Sequence, residues 1–468
     1  MSFLRKFYGD KAFLKLVLST AVPIILQNGI TSLVSALDNI MVGRLCSEAT
    51  SGVAIVNQFM FVFFLVTFGA VSGAGILTAQ YHGSNNVERV RDTFRVKLII
   101  CVVAAASAVL LFFFLQDQLI NSFLTSETAD IDPELTFELG KKYLNAVLIS
   151  VVPYSLSAAY STTLRETGKA VVPMAASVSA VVINLVLNYL LIFGKLGMPA
   201  LGVQGAAYAT VVSRFAELLI LIIWTSCNKK KCPFIVGAFR SFRIPGFVIR
   251  KIALMGTPLM LNEGLWALAC TVRNQCYSTR GLETVTSLSI SSAVFNLMSE
   301  VYFALGLAIA VVIGNMLGAG KIEEAKDADK KLIRLSLTAA SFVGIGLIAI
   351  APFFPKLYNT TEGVLALSAY MICVHGVMTP MYAYAHASYF TLRSGGRVIV
   401  TMLFDSVFMW AIAVPLAFVL SRFTDMSIYP LFAICQGCET LKAVLGFVLL
   451  RRGTWARKIV SENEGEIS

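Results

Sequence analysis

Runs of 20 or more predominantly apolar residues recur twelve times along this 468-residue chain, and no other feature restricts its fold as strongly. A helix rises about 1.5 Å per residue against a hydrocarbon core about 30 Å thick, so each run can cross a bilayer. The runs lie near 16–40, 51–79, 96–116, 135–162, 171–193 and 202–226, then near 252–278, 285–316, 332–354, 364–391, 398–421 and 428–450. Barrel strands, about 10 residues long and alternating in hydropathy, do not fit them. With 57% apolar and 14% charged residues and a mean hydropathy of +0.76, the solvent of this chain is lipid.

A net charge of +11 raises the question of nucleic acid, and the placement of the charges answers it. If the N-terminus is cytoplasmic, 28 of the 38 Lys and Arg fall on one face, from Arg5 and Lys6 through Lys229, Lys230 and Lys231 to Arg451 and Arg452. Seven fall on the other: Arg44, Lys141, Lys142, Lys195, Arg280, Lys356 and Arg422. This is the positive-inside pattern of a multi-pass inner-membrane protein with both termini cytoplasmic. The first run lacks a cleavage signature and reads as a retained span. Nine scattered cysteines predict no disulfide, and Cys435 with Cys438 reads as small packing residues.

The chain repeats itself. A shift of 235 residues places Pro23 on Pro258, Gly29 on Gly264, Asn39 on Asn274, Gly83 on Gly318 and Asp92 on Asp327. A shift of 228 places YSLSAAYSTTLRETG, residues 154–168, on YAYAHASYFTLRSGG, residues 382–396. Six spans per repeat give both copies the same orientation. The expected fold is an all-α membrane protein with two six-helix lobes related by a pseudo-twofold axis along the membrane normal. The lobes would be 1–227 and 251–451, joined by a cytoplasmic linker at 228–250 and followed by a cytoplasmic tail at 452–468. The linker reads as a solvated basic loop or a short amphipathic interfacial helix. Two packed repeats suit alternating access about a midplane site, which favours a secondary transporter.

Ionisable groups inside spans cost roughly 2.5–3.5 kcal/mol or more each near the bilayer centre, so each is a site or a structural partner. Asp38, late in the first span, has no basic residue one turn away and is a candidate proton carrier or small-cation ligand. Asn184 and Asn188 share a face of the fifth span, where they either pack helices or join Asp38. Glu263 lies in the seventh span beside Trp266. Arg214 with Glu217, and Glu439 with Lys442, read as self-neutralising i, i+3 pairs, while Glu300 and Asp405 are unpaired in sequence. His375 and His386 lack the spacing of a helical metal site. No GxxxxGK[ST] loop is present, so the energy source is an ion gradient and not a nucleotide.

The segments VPIILQNGITSLVSALDNIMVGRL and NLVLNYLLIFGKLGMPALGVQGAAYATVVSR, together with the paired LRETG and LRSGG, closely resemble the multidrug and toxic compound extrusion (MATE) family of antiporters along essentially the whole chain. The resemblance implies a transporter, not an enzyme, that needs no cofactor. It would export organic, often cationic or amphipathic compounds in exchange for H+ or Na+. A cation-coupling site is implied at Asp38, Asn184, Asn188 and Thr210. DinF-like members carry Asp where Asn188 stands, so this site holds one carboxylate. Substrate-binding residues are implied at Glu263, Trp266 and Tyr382; NorM-like members have an acid where Tyr382 stands. The expected partners are small organic substrates and membrane lipids, with the protein a monomer. The rival reading, a lipid-linked oligosaccharide flippase of the wider superfamily, calls for several arginines in the cleft, whereas only Arg214 and Arg273 lie within spans.

Overall fold

The computed structural model describes residues 7–123 and 132–460. Arg5, Lys6 and the 461–468 end of the expected tail lie outside them. The described chain is all-helical, with twelve helices long and apolar enough to cross a membrane. They are α1 (Lys11–Gly43), α2 (Ser47–Gly83), α3 (Val87–Asn121), α4 (Pro133–Glu166), α5 (Val171–Phe193), α6 (Val203–Cys227), α7 (Gly246–Ser278), α8 (Leu282–Gly318), α9 (Ile322–Ile350), α10 (Glu362–Ser394), α11 (Val398–Arg422) and α12 (Ile428–Arg451).

The repeat reappears in the helix boundaries. α1 and α7 each have 33 residues with an internal proline, Pro23 or Pro258, at the same place, and α2 and α8 each have 37. The starts of α1 and α7, of α2 and α8, and of α3 and α9 all keep the 235-residue offset.

Local signals set the ends. Asp132 caps α4 by accepting from the Glu134 and Leu135 amides, with Pro133 in the first turn, where its missing N–H costs nothing. Thr361 caps α10 in the same way through the Val364 amide. α5 stops at Gly194, whose φ of 64° lies in the left-handed region. α11 is irregular: Leu403–Val407 and Met409–Ala413 are π-helical. Pro415 accounts for the second widening, because it cannot donate to the carbonyl one turn back.

The chain forms two compact units. The first comprises Leu26–Thr78 and Val87–Met260; the second comprises the chain up to Ile25, Ala79–Asn86 and Leu261 onward. The core of the first gathers Val53, Phe59, Phe63, Phe112, Leu144 and Val151 from α2, α3 and α4. α2 and α4 approach closely at Gly52, where an added Cβ would lie 2.9 Å from the Gly140 backbone nitrogen. The core of the second gathers Ile313, Leu317, Leu332, Phe390 and Trp455. Many of the largest outward side chains are apolar, including Phe114, Phe342 and Val377, as lipid contact requires.

Within the expected 228–250 linker, 246–250 already belong to α7, Pro233–Ile235 form a 3-10 turn, and the remainder is irregular but held to α3. Phe234 is buried against Phe94 of α3, and the buried Arg95 guanidinium donates to the carbonyls of Gly237 and Ala238 at 2.8 Å each. Two backbone carbonyls and one guanidinium thus fasten the segment to α3.

Candidate functional site

Asp38 occupies the second half of α1, and α5 and α6 bring amides and a hydroxyl to it. The Asn188 Nδ2 donates to Asp38 Oδ1 at 2.6 Å and also lies 3.2 Å from Asn184 Oδ1. Asn184 Nδ2 donates to Thr210 Oγ1 at 3.3 Å. With the Asn184 amide turned over, its nitrogen donates instead to Asp38 Oδ2 at 2.9 Å and its oxygen accepts from the Thr210 amide. Either way Asp38, Asn184, Asn188 and Thr210 form one connected cluster within the first unit.

Asn184 and Asn188 are buried and Asp38 is half-buried. Among the described residues no ion pair involves Asp38; every neighbour that bonds it is neutral. A carboxylate supported only by amides keeps its negative charge available to an exchangeable proton or cation. The buried Asn188 Oδ1 has no hydrogen-bond partner, so an amide oxygen is available beside the carboxylate. Two further groups escaped the sequence reading: the buried Tyr143 hydroxyl, within electrostatic range of Asp38, and Asn57, 3.5 Å from that hydroxyl. They lie on α4 and α2 and have no sequence proximity to Asp38 that would flag them.

In the second unit Glu263 is not joined to Tyr382. Its Oε1 accepts from the Tyr389 hydroxyl at 2.9 Å, and Arg393 lies within electrostatic range. Tyr382 donates to Gln436 Oε1 at 2.9 Å, and Trp266 packs on an apolar cluster with Ala269, Phe408 and Met409. Tyr389 follows Tyr382 by seven residues on α10, two turns along the same face, a spacing that could have singled it out.

Both expected i, i+3 pairs form, and one of them also reaches across helices. Arg214 and Glu217 do pair at 2.9 Å. Lys442, expected to neutralise Glu439, is 3.9 Å from it and 2.5 Å from Asp405, which therefore is not unpaired. The long lysine side chain reaches from α12 to the carboxylate on α11 in preference to its neighbour on α12. Arg273 lies 4.0 Å from Glu439, not beside Glu263.

The MatE family profile matches residues 23–190 and 263–419, well over half of the chain. The chain belongs to the MatE family. Among the relatives of this MatE protein, Bacillus subtilis "Probable multidrug resistance protein YoeA" is 26% identical over 416 residues, covering 87% of each chain. Thermotoga maritima "Probable multidrug resistance protein NorM" is 23% identical over 455 residues, covering 96% of this chain and 95% of the relative. An outward-facing multidrug resistance MATE family transporter of the MOP superfamily superposes with a TM-score of 0.85 at 18% identity over 97% of this chain and 98% of its own. A point mutant of the Vibrio cholerae MATE transporter VcmN gives a TM-score of 0.83 at 16% identity over 94% and 97%. These two likenesses bear on the fold. As a MatE member the protein is an ion-coupled membrane transporter of small organic solutes, not an enzyme, and works without a cofactor.

Proposed function

We propose that this MatE transporter is an inner-membrane antiporter that exports organic, cationic or amphipathic compounds in exchange for H+ or Na+, with both termini in the cytoplasm. The observation that carries the coupling role is the Asp38 carboxylate, bonded only by neutral donors and flanked by the unpartnered Asn188 oxygen. Hard monovalent cations take oxygen ligands, and a proton takes one carboxylate oxygen; the cluster offers both. When the ion leaves, the Asn188 and Asn184 amides satisfy the bare carboxylate by the hydrogen bonds described, so the empty state is held without a counter-charge. Loading and emptying therefore exchange one set of Asp38 contacts for another, and α1, α5 and α6 are the elements that feel it.

The second unit supplies the substrate contacts in this reading. Glu263 offers a negative charge to a cationic solute, and Trp266 and Tyr382 offer aromatic surface. The protein acts as a monomer in contact with membrane lipid.

The test is substrate efflux in proteoliposomes with the pH gradient and the Na+ gradient imposed separately. Wild-type protein should respond to one or both, and Asp38→Asn should lose gradient-driven export while inserting and purifying normally. Undiminished export by Asp38→Asn would refute the coupling role.

A further inference from the structure

The polar centre of the second unit reverses the charges of the first. In the 235-residue register, Arg273 of α7 stands where α1 has Asp38. In the register that starts α6 at Val203 and α12 at Ile428, Glu439 stands on Arg214 and Lys442 on Glu217, so an i, i+3 pair has exchanged its signs. Asp405, on the π-helical part of α11, falls on Ser177 when the 228-residue register is applied, so it is a carboxylate without a counterpart in the first repeat.

These substitutions converge on one ammonium. Lys442 is 7% exposed, and its Nζ lies 2.5 Å from Asp405 Oδ1 and 3.9 Å from Glu439 Oε2. The other Asp405 oxygen accepts from Asn262 Nδ2 at 2.9 Å. Asn262 is fully buried, and its Oδ1 accepts from the Ser406 hydroxyl at 2.7 Å, which fixes the amide with its nitrogen toward the carboxylate. Two carboxylates from two helices thus face one buried positive charge, in a setting braced by a locked amide. The Arg273 guanidinium stands 4.0 Å away on the far oxygen of Glu439. A pair of acids this deep in a membrane protein needs a cation between them, and here the chain itself provides it.

We propose that Asp405 and Glu439, with Asn262 bracing Asp405, form a second monovalent-cation site, and that the Lys442 ammonium is its resident occupant. A free cation binds there only when that ammonium is removed or displaced. The inference is separate from the coupling role of Asp38: the second unit contributes no exchangeable ion while Lys442 is in place. The ligands it fits in place of the lysine are a small primary ammonium or Na+. Methylammonium has the charge, size and donors of the lost side-chain terminus.

Thermal unfolding of purified full-length protein in detergent tests it, with methylammonium or Na+ titrated against N-methylglucamine at constant ionic strength. An Asp38→Asn background silences the first cluster, and with Lys442 present it should show no saturable cation effect. Adding Lys442→Ala should lower Tm and create a saturable rise of about 2–4 °C with methylammonium. Adding Asp405→Asn as well should abolish that rise. Should Lys442→Ala not fold, Lys442→Met keeps the volume without the charge and is read with Na+. A folded Lys442 variant with no saturable rise overturns the proposal. So does a rise already present in Asp38→Asn alone that Asp405→Asn removes, and so does failure of both Lys442 variants to fold even with methylammonium present throughout purification. Because the readout is equilibrium stability, its failure is distinct from failure of Asp38 in transport.

Discussion

Asp38 and Glu263 each sit on the first helix of a repeat, yet their surroundings differ in kind. Asp38 is met by amides alone, whereas Glu263 is met by a tyrosine hydroxyl and lies in the field of Arg393. One carboxylate with a partly compensating guanidinium nearby is a weak cage for Na+, whose dehydration must be offset by several oxygens and charge. It remains an adequate counter-charge for a bulky organic cation. Glu263→Gln should therefore reduce export of cationic substrates at least about tenfold, a difference worth about 1.4 kcal/mol, and neutral substrates far less. Parallel transport of a charged and a neutral substrate by the same variant checks this; equal losses would exclude a charge-specific role. A second residue-scale expectation concerns Lys97, which is fully buried and bonded to Glu166 and Thr163. Lys97→Met removes the buried ammonium from beside the acid, and the cost of breaking such a pair is about 3–5 kcal/mol, measurable as a lowered unfolding temperature.

Among the elements, the contact between α2 and α4 decides how the Asp38 surroundings are assembled. Gly52 lets the two backbones meet, and Asn57 and Tyr143 lie about one turn further along the same pair of helices. Gly52→Ala drives a Cβ to 2.9 Å from backbone atoms that cannot rotate away. Overpacking of this kind costs typically about 1–3 kcal/mol, so the variant should unfold at lower temperature and weaken export together. Wild-type unfolding by Gly52→Ala would show that α2 can shift freely. The helices themselves were readable in the sequence, because lipid forces span length and apolar content. The Asp38, Asn184 and Asn188 grouping was readable for the same reason: polar residues in lipid stand out. The link from Lys442 to Asp405 was not, since it joins two helices and an i, i+3 acid offered an obvious local partner. Nor was the anchoring of 228–250, where Arg95 looked like one more cytoplasmic charge and its carbonyl partners carry no side-chain signal.

For the whole molecule, the distribution of basic residues and the twelve spans support one another, because miscounting by a single span would exchange the faces of every later loop. In a cysteine-free background, Lys356→Cys should react with a membrane-impermeant maleimide added outside spheroplasts, and Lys230→Cys should react only after the membrane is opened. The reverse pattern would invert the topology on which the direction of export rests. The duplication explains why so much of the architecture could be anticipated, and also where anticipation failed. Helix lengths kept their repeat register in α1, α2, α7 and α8, whereas charged positions in the later helices changed identity or sign.

The two π-helical stretches of α11 carry a record of that divergence. α5 has 23 residues and α11 has 25, and α11 holds two stretches in which a turn takes up one residue more than an α turn does. The additional residues are stored as girth and not as length, so α11 gains little reach across the bilayer. What they change is phase. A widened turn advances less angle per residue than the ~100° of an α-helix, so residues after it point elsewhere than they would in a plain α-helix of the same sequence. α11 can thereby point residues before and after the widened turns at different neighbours, which a straight copy of α5 could not do. The carboxylate that meets Lys442 sits inside the first of these turns, so the widened geometry sets the direction of that side chain without giving up the span.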